Sequence, residues 1–230
     1  MISKIINKLK RDGIFGLAIA ILKYPFGSSK RRIYRNMLEF KSSKDRFAEI
    51  YKHNIWSSME SRSGEGSEVS YTAPLRKWLI RNINLLNIKT FVDAPCGDFN
   101  WMKLVLPKVN IDYKGLDIVD SVIEQNNALY ASDKIKFEVA DICEDRLPDC
   151  DIIMVRDCLF HLSYEDINSF LINLSKTNYK YLLTTTHMVD KNFKNSNIRT
   201  GDWRLIDLFS NPFFFDTQKV KARVDDFPEG

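Results

Sequence analysis

The stretch TFVDAPCGDFNWM, from Thr90 to Met102, reads as a buried strand followed by a loop that contains one glycine. Nucleotide-binding loops between a strand and a helix usually contain two or three glycines, because the backbone must approach the ligand closely. The stretch therefore indicates the edge of a sheet. It leaves open whether this loop holds a ligand or is an ordinary strand-to-helix turn.

From residue 75 onward, strand-like and helix-like segments alternate along the chain. The run from Asp151 to Val155 is apolar enough for the centre of a sheet that is covered on both faces. Alternating strands and helices predict a Rossmann-like, doubly wound, mostly parallel sheet, with any ligand at the carboxyl ends of the strands. The predicted strands are Thr90–Ala94, Tyr113–Asp117, Lys136–Asp141, Asp151–Val155 and Tyr181–Thr186.

Helices are predicted between and before these strands. At the end of the chain we expect one further strand around residues 219–224, or a truncated pair of strands. Capping residues and apolar spacing give four helices: one opened by Thr72 and Pro74, one from Asn100 to Leu106 that stops at Pro107, one capped by Asp120 or Ser121, and one capped by Ser163 with Asp166 at capping-box spacing.

Charge is unevenly distributed along the chain. Residues 1–52 carry 13 Lys and Arg against 4 Asp and Glu, a net +9, whereas residues 53–230 carry 21 against 26, a net −5. We therefore divide the chain into a basic helical N-terminal extension, residues 1–55, and a globular domain, residues 56–230.

The basic extension contains the apolar run IFGLAIAIL, from Ile14 to Leu22. This run has about half of the roughly 18 residues that a transmembrane helix needs, and no signal-peptide cleavage site follows it, so we expect a cytoplasmic protein. The extension is interpreted as a solvated helical cap. The alternatives are peripheral contact of residues 1–52 with the anionic inner membrane face or a membrane enzyme, and nucleic-acid contact, which we do not expect.

Cysteines and histidines are few. The four cysteines, Cys96, Cys143, Cys150 and Cys158, form no CxxC pair and fit reduced thiols in a core better than a disulfide framework or a zinc site. The chain has only three histidines. We therefore predict no bound metal.

Three predicted strands end in an aspartate: Asp93, Asp117 and Asp141 follow one another at intervals of 24 residues. Their carboxylates should lie at the same edge of the sheet, on strands roughly 4.8 Å apart, where a ligand with hydrogen-bond donors would relieve their repulsion. An acid at the end of the second strand is where dinucleotide-binding sheets hold a ribose diol. This spacing predicts a site for one extended nucleotide.

Four segments of the chain resemble motifs of the class I S-adenosylmethionine-dependent methyltransferases. TFVDAPCGD resembles their first motif, GLDIVD the second and VADI the third, and IIMVRDCLFHL resembles the segment at the end of the fourth strand. A closer resemblance, over residues 56 to about 216, is to a bacterial subgroup with a GxGS loop and PCGDFNWM, RDCLxHL and TGDWR motifs. The resemblance implies a binding site for S-adenosylmethionine. In it, Asp93, Gly97 and Asp98 surround the methionine part, Asp117 binds the ribose hydroxyls, and Asp141 and Ile142 lie at the adenine. The other implied cofactor-binding residues are Ala94, Trp101, Ile118 and Arg156.

The first loop departs from the pattern of that family, which has glycine where this chain has Pro95 and Phe99. Pro95 has no amide to donate, and Phe99 is expected to block close approach of the backbone. A dinucleotide pyrophosphate could not be cradled here, which argues against NAD or FAD. S-adenosylmethionine carries no phosphate, so the single Gly97 can suffice.

Methyl transfer to a hydroxyl requires alignment of the acceptor and a base to remove its proton. His161, four residues after Asp157, is the first candidate for the base, and Asp157 either orients it or is itself the base. The alternative is that His161 only fills the start of the next helix. His187, after the fifth strand, is expected beside it. Some magnesium-dependent O-methyltransferases have a second acid in this segment, where this chain has Phe160, so no metal requirement is predicted.

Two loops are candidates for the rest of the site. The RTGDWR segment is expected to hold the acceptor through Arg199, Asp202, Trp203 and Arg204, although Asp202 can also cap a helix there. The segment SRSGEGSE, Ser61–Glu68, is either a lid over the cofactor or a plain linker.

The resulting hypothesis is O-methylation of a carbohydrate or another small hydroxyl acceptor, because members of the resembled subgroup look like enzymes of bacterial surface-polysaccharide biosynthesis. Two alternatives remain open at this point. One is methylation of RNA or protein, suggested by the +9 segment. The other is a non-catalytic nucleotide-binding module on the same fold, suggested by the missing glycines.

Overall fold

A computed structural model of the chain describes residues 33–40 and 42–225. The chain divides into two compact units, residues 1–40 and 41–230. In the first unit, residues 33–38 are helical. The apolar run at residues 14–22 and most of the basic extension lie outside the described residues. In the described part of the chain, no helix is long and apolar enough to cross a membrane.

Five parallel strands form one sheet in the order β3-β2-β1-β4-β5. This is the order of the first five strands of the doubly wound Rossmann sheet, and its direction reverses between β1 and β4. The Rossmann-like fold expected from the sequence is therefore confirmed, with a ligand crevice expected above β1 and β4. The strands are β1 Thr90–Asp93, β2 Asp112–Asp117, β3 Ile135–Val139, β4 Cys150–Val155 and β5 Tyr179–Thr184.

Four α-helices in the second unit accompany the sheet: α1 Ser43–Lys52, α2 Ala73–Leu85, α3 Asp120–Tyr130 and α4 Tyr164–Leu174. Helix α1 lies in the stretch that the sequence analysis assigned to the N-terminal extension, and it belongs to the same compact unit as the sheet. Three predictions about secondary-structure elements were wrong. Residues 102–108 contain two 3-10 helices, Met102–Leu104 and Leu106–Lys108, instead of the end of an α-helix that stops at Pro107. Helix α3 is preceded by Val119 without a side-chain cap, and no strand follows β5 among the described residues.

Two apolar clusters cover the two faces of the sheet. Every residue of β4 is buried, as the apolar run predicts for a central strand. One cluster includes the buried face of α4, and the other includes that of α2. The sheet is therefore a rigid floor that fixes the positions of the loops at its carboxyl edge.

The start of α4 fixes one of these loops. The Ser163 side chain accepts the Asp166 N–H, as the capping-box spacing predicts. The reciprocal bond is absent, because the Ser163 N–H donates instead to the hydroxyl of Thr200, at 2.8 Å, and that hydroxyl donates to the Asp166 carboxylate. A residue from the loop after β5 thus completes the cap and brings that loop against α4.

Candidate active site

A large cleft includes the carboxyl ends of the strands, continues along α2, β5 and residues 215–225, and contains most of the residues that the sequence singles out. It is also lined by parts of α1 and of the segment at residues 63–68, which come from outside the sheet. The predicted site residues that line it are Asp93, Gly97, Trp101, Asp117, Ile118, Asp141, Ile142, Arg156, Asp157, His161, His187 and Trp203.

Asp117, the last residue of β2, has its carboxylate fixed by the backbone. One oxygen accepts the Gly97 N–H at 3.1 Å, and the other accepts the Val119 N–H at 3.0 Å. Burial raises its pKa to about 6, against the lowering effect of these donors. Each carboxylate oxygen keeps a further lone pair, so the group can accept hydrogen bonds from two ligand hydroxyls.

Asp141 lies two residues beyond the end of β3 rather than on the strand, which is shorter than predicted. Its carboxylate accepts the N–H of Cys143 at 2.8 Å in a local turn. Ile142 is buried, and Ile118 lies at the end of β2 on the same cleft. An apolar wall with one carboxylate thus stands beside Asp117.

Asp93, the last residue of β1, lies at the bottom of the cleft and is 2% exposed. The hydroxyl of Tyr113 donates to it at 2.7 Å. Burial raises the pKa of Asp93 to about 7, the negative charge of Asp117 raises it further, and the Tyr113 hydrogen bond and Arg156 oppose the rise. The next residue, Ala94, is fully buried, donates its N–H to the Met154 carbonyl, and is not among the residues that line the cleft.

Asp98 does not line the cleft, contrary to expectation. Its carboxylate accepts the Ser61 hydroxyl and the Arg62 N–H, each at 2.9 Å. Its own N–H donates to the Ser63 hydroxyl oxygen at 3.0 Å. The role of Asp98 is to hold the segment Ser61–Glu68 over the loop that follows β1, so this segment is not a plain linker.

The single glycine of the loop after β1 lies against another segment of the protein. Gly97 has a φ of +54°, a left-handed conformation that favours glycine, and a Cβ at this position would collide with the Ser63 hydroxyl oxygen. Glycine is therefore needed because another protein segment approaches the backbone here.

Phe99 occupies one of the missing glycine positions without blocking the cleft, which corrects the sequence interpretation. It has a φ of +57°, the conformation that glycine would take. Its ring turns into the core, is 2% exposed, and packs against Tyr113, Tyr130 and Phe137. Burial of a large ring compensates for the unfavourable backbone conformation.

Arg156 joins several parts of the site. Its guanidinium donates to the Gly66 carbonyl at 2.8 Å, pairs with the Asp157 carboxylate at 2.8 Å, and lies 5.6 Å from the centre of the Trp101 ring. The other oxygen of Asp157 accepts the Thr185 hydroxyl at 2.9 Å. Asp157 is thus bound between Arg156 and Thr185 and makes no hydrogen bond to His161.

His161 is oriented by main chain instead of by Asp157. Its Nδ1 lies 2.8 Å from the Asp202 carbonyl oxygen, which can only accept, so Nδ1 carries a proton and the neutral ring has its lone pair on Nε2. Nε2 has no hydrogen-bond partner among the described residues. Burial lowers the pKa of His161 to about 4, with the Asp202 hydrogen bond opposing this and the positive charge of Arg204 adding to it. The ring is therefore a neutral proton acceptor at pH 7.

Aromatic rings surround His161. Its ring centre lies 4.5 Å from that of Phe160 and 5.2 Å from that of Trp56, which the sequence analysis missed. His187, which was expected beside His161, has its ring centre 5.1 Å from that of Phe160, and the Trp203 ring lies 6.3 Å from His187 and is 54% exposed. We refer to Trp56, Phe160, His161, His187 and Trp203 as the aromatic cluster.

The charged residues of RTGDWR do not line the cleft. Arg204 is 5% exposed, donates to the Leu162 carbonyl at 2.6 Å and lies over the Tyr164 ring at 5.2 Å. Arg199 is exposed to solvent outside the cleft lining. Asp202 accepts the N–H of the next residue, Trp203, and no helix begins there. Of the four predicted acceptor contacts in this loop, only Trp203 faces the cleft.

The sequence analysis did not single out Phe47 and Tyr51 on α1 or Trp56 in the turn after it, all of which line the cleft. Among the described residues, no group of three or more His, Cys, Asp or Glu side chains could hold a metal ion. The four cysteines are free thiols, and burial raises the pKa of each.

No family model matches the sequence, and no curated protein matches it. Several solved structures do match this chain. PigF bound to SAH matches with a TM-score of 0.47 and 14% identity over 76% of this chain and 52% of that one. Human N-acetylserotonin methyltransferase in complex with SAM matches with a TM-score of 0.43 and 15% identity, over 65% and 43%. A putative S-adenosylmethionine-dependent methyltransferase from Methanococcus maripaludis matches with a TM-score of 0.41 and 20% identity, over 54% and 61%.

The chain thus spans between 43% and 61% of the length of these three proteins. The sheet order supplies the structural assignment on its own, since it follows the doubly wound pattern strand by strand. The chain has the Rossmann-like fold that the resemblance to class I methyltransferases predicts.

Proposed function

We propose that this protein is an S-adenosylmethionine-dependent methyltransferase that methylates a hydroxyl group of a carbohydrate or another small acceptor. One observation carries the proposal: the anchored carboxylate of Asp117 and the neutral imidazole of His161 line the same cleft at the carboxyl edge of the sheet.

The residues present fit the cofactor. Asp117 has lone pairs for the two ribose hydroxyls, and Ile118 and Ile142 offer an apolar wall for the adenine beside Asp141. Pro95 lacks an N–H, which suits a ligand without a pyrophosphate. When bound, S-adenosylmethionine supplies a sulfonium methyl group that is already activated for transfer.

His161 fits the role of the proton acceptor for the hydroxyl. With Nδ1 held by the Asp202 carbonyl, Nε2 presents its lone pair and can orient the acceptor hydroxyl by accepting its hydrogen bond. A pKa of about 4 makes His161 a weak base. However, a hydroxyl oxygen that gains a methyl group becomes a far stronger acid than imidazolium, so a weak base in the right position is sufficient.

The aromatic cluster supports a ring-shaped, uncharged acceptor. Trp56 and Trp203 offer ring faces near His161 and His187, and such faces pack against the apolar face of a sugar or another flat ring. The two arginines of RTGDWR, which were candidates to hold the acceptor, do not line the cleft. As the alternative to a solvated cap, we propose that the +9 segment at residues 1–52 contacts the anionic inner membrane face.

Transfer of labelled methyl from S-adenosylmethionine tests the proposal, with free and lipid-linked sugars, small hydroxylated rings, RNA and protein as acceptors. His161→Gln is compared with His53→Gln, because His53 pairs with Glu49 on α1 and is not in the cleft lining. We expect His161→Gln to lower turnover about 100-fold or more while His53→Gln does not. Label in RNA or protein alone would contradict the acceptor class, and equal turnover in both variants would contradict the role of His161.

A further inference from the structure

In the loop after β1, the backbone N–H groups already donate hydrogen bonds to other parts of the protein. The Cys96 N–H donates to Leu116, the Gly97 N–H to Asp117, and the Asp98 N–H to Ser63. Pro95 has none. A ligand with an anionic end that reaches this loop must therefore find its donors on other parts of the protein.

Ser63 is positioned to supply one donor. Its hydroxyl oxygen lies against Gly97 and accepts the Asp98 N–H at 3.0 Å, which fixes the oxygen at the surface of the cleft. The hydroxyl hydrogen has no acceptor among the described residues. A serine hydroxyl both accepts and donates, so one donor of Ser63 remains available to a ligand beside Gly97.

Tyr51 supplies a second donor from α1. Its ring lines the cleft, and Arg62, next to Ser63, donates to the Tyr51 backbone carbonyl at 3.3 Å and lies 5.9 Å from its ring centre. The Tyr51 hydroxyl makes no hydrogen bond within the described part of the chain. Burial, with the negative charges of Asp98 and Asp117, raises the pKa of Tyr51 to about 12, so the hydroxyl keeps its proton at pH 7.

We propose that the hydroxyls of Ser63 and Tyr51 bind the carboxylate at the amino-acid end of S-adenosylmethionine. This inference rests on the proposed function and assigns to α1 and the segment Ser61–Glu68 the work that loop amides do in glycine-rich loops. The segment is held in place by Asp98 and by the bond from Arg156 to Gly66, so the Ser63 hydroxyl is positioned before the ligand binds.

Calorimetric titration with two ligands tests the inference. S-adenosylhomocysteine has the amino-acid end, whereas 5′-methylthioadenosine keeps the nucleoside and lacks that end. Ser63→Ala and Tyr51→Phe are compared with the unchanged protein and with Ser175→Ala, a control because Ser175 is exposed at the end of α4. We expect each cleft variant to bind S-adenosylhomocysteine about tenfold more weakly, and 5′-methylthioadenosine within a factor of two of the unchanged protein.

The remaining outcomes overturn the inference in distinguishable ways. Unchanged affinity for S-adenosylhomocysteine in both variants would show that the hydroxyls do not contact it. Equal weakening for both ligands would show that they only shape the cleft. Tyr51→Phe keeps the packing of the ring, so it gives a result even if Ser63→Ala unfolds the segment. Failure of the unchanged protein to bind either ligand would contradict the proposed function itself.

Discussion

The Nδ1 of His161 lies 2.8 Å from the backbone carbonyl oxygen of Asp202, 41 residues away along the chain. The Gly201 N–H returns a bond of 2.8 Å to the carbonyl of His161. The loop after β5 therefore holds the candidate base from two sides. The TGDWR motif therefore fits a role in positioning His161. Trp203 is the residue of this motif that lines the cleft.

Thr200 anchors this loop, and its removal should reduce stability. The residue is 2% exposed, and its hydroxyl links the Ser163 N–H to the Asp166 carboxylate. We expect Thr200→Val to lower the free energy of unfolding by about 1–3 kcal/mol, because the partly buried Ser163 N–H and Asp166 carboxylate lose their partner. Urea unfolding measures this. Thr217→Val, at an exposed position, is the control, and equal stability of the two variants would disprove the anchoring role.

Phe99 should show an inverted preference between glycine and alanine. Loss of the ring costs about 3–5 kcal/mol in either variant. At a φ of +57°, however, glycine avoids about 1–2 kcal/mol of strain that alanine keeps. We expect Phe99→Gly to be more stable than Phe99→Ala by about 1 kcal/mol, measured by denaturant unfolding. A more stable alanine variant would mean that the left-handed conformation is not kept.

Gly97 and Ser63 should be coupled. Gly97→Ala places a Cβ against the Ser63 hydroxyl and also strains the backbone, so we expect weaker cofactor binding and lower stability. In a Ser63→Gly background the collision disappears and only the strain of about 1–2 kcal/mol remains. A double-mutant cycle on unfolding free energy detects the difference. Strict additivity would show that the two segments do not touch.

Asp93 should make the protein less stable as pH rises. Its folded pKa of about 7 lies above the ordinary 3.8, so between these values the folded state binds more protons than the unfolded state. Stability then falls as pH increases through this window, by up to about 1.4 kcal/mol per pH unit. Asp117 acts in the same direction. His161, with a folded pKa of about 4, acts oppositely between 4 and 6.5.

Asp93→Asn isolates the contribution of Asp93. The amide keeps an acceptor for the Tyr113 hydroxyl and cannot ionise. We expect the unfolding free energy of this variant, relative to the unchanged protein, to increase from pH 5 to pH 8. Urea unfolding at each pH measures it. A difference that does not vary with pH would mean that Asp93 ionises normally in the fold.

The sheet could be predicted because its signals are local. The buried run of β4 and the aspartates at Asp93 and Asp117 report strand positions directly. The role of Asp98 could not be predicted, because its partners Ser61 and Arg62 lie more than 30 residues earlier. No periodicity or motif encodes that approach.

Other site residues escaped prediction for the same physical reason. Tyr51 and Trp56 reach the cleft only because α1 and the turn after it lie against the edge of the sheet. The prediction that Phe99 blocks the loop was wrong, because it considered only the size of the side chain. The left-handed φ of Phe99 directs the ring into the core. Side-chain direction depends on backbone conformation, which the residue type alone does not give.

The central claim is that the carboxyl edge of this sheet binds the cofactor through Asp117. Calorimetric titration of S-adenosylhomocysteine into the unchanged protein, Asp117→Ala and Asp112→Ala tests it most directly. Asp112 is a matched control, because it is an exposed acid at the opposite end of the same strand. We predict micromolar binding by the unchanged protein and by Asp112→Ala, and loss of binding in Asp117→Ala. Absence of binding in all three, or equal binding in all three, would contradict the account.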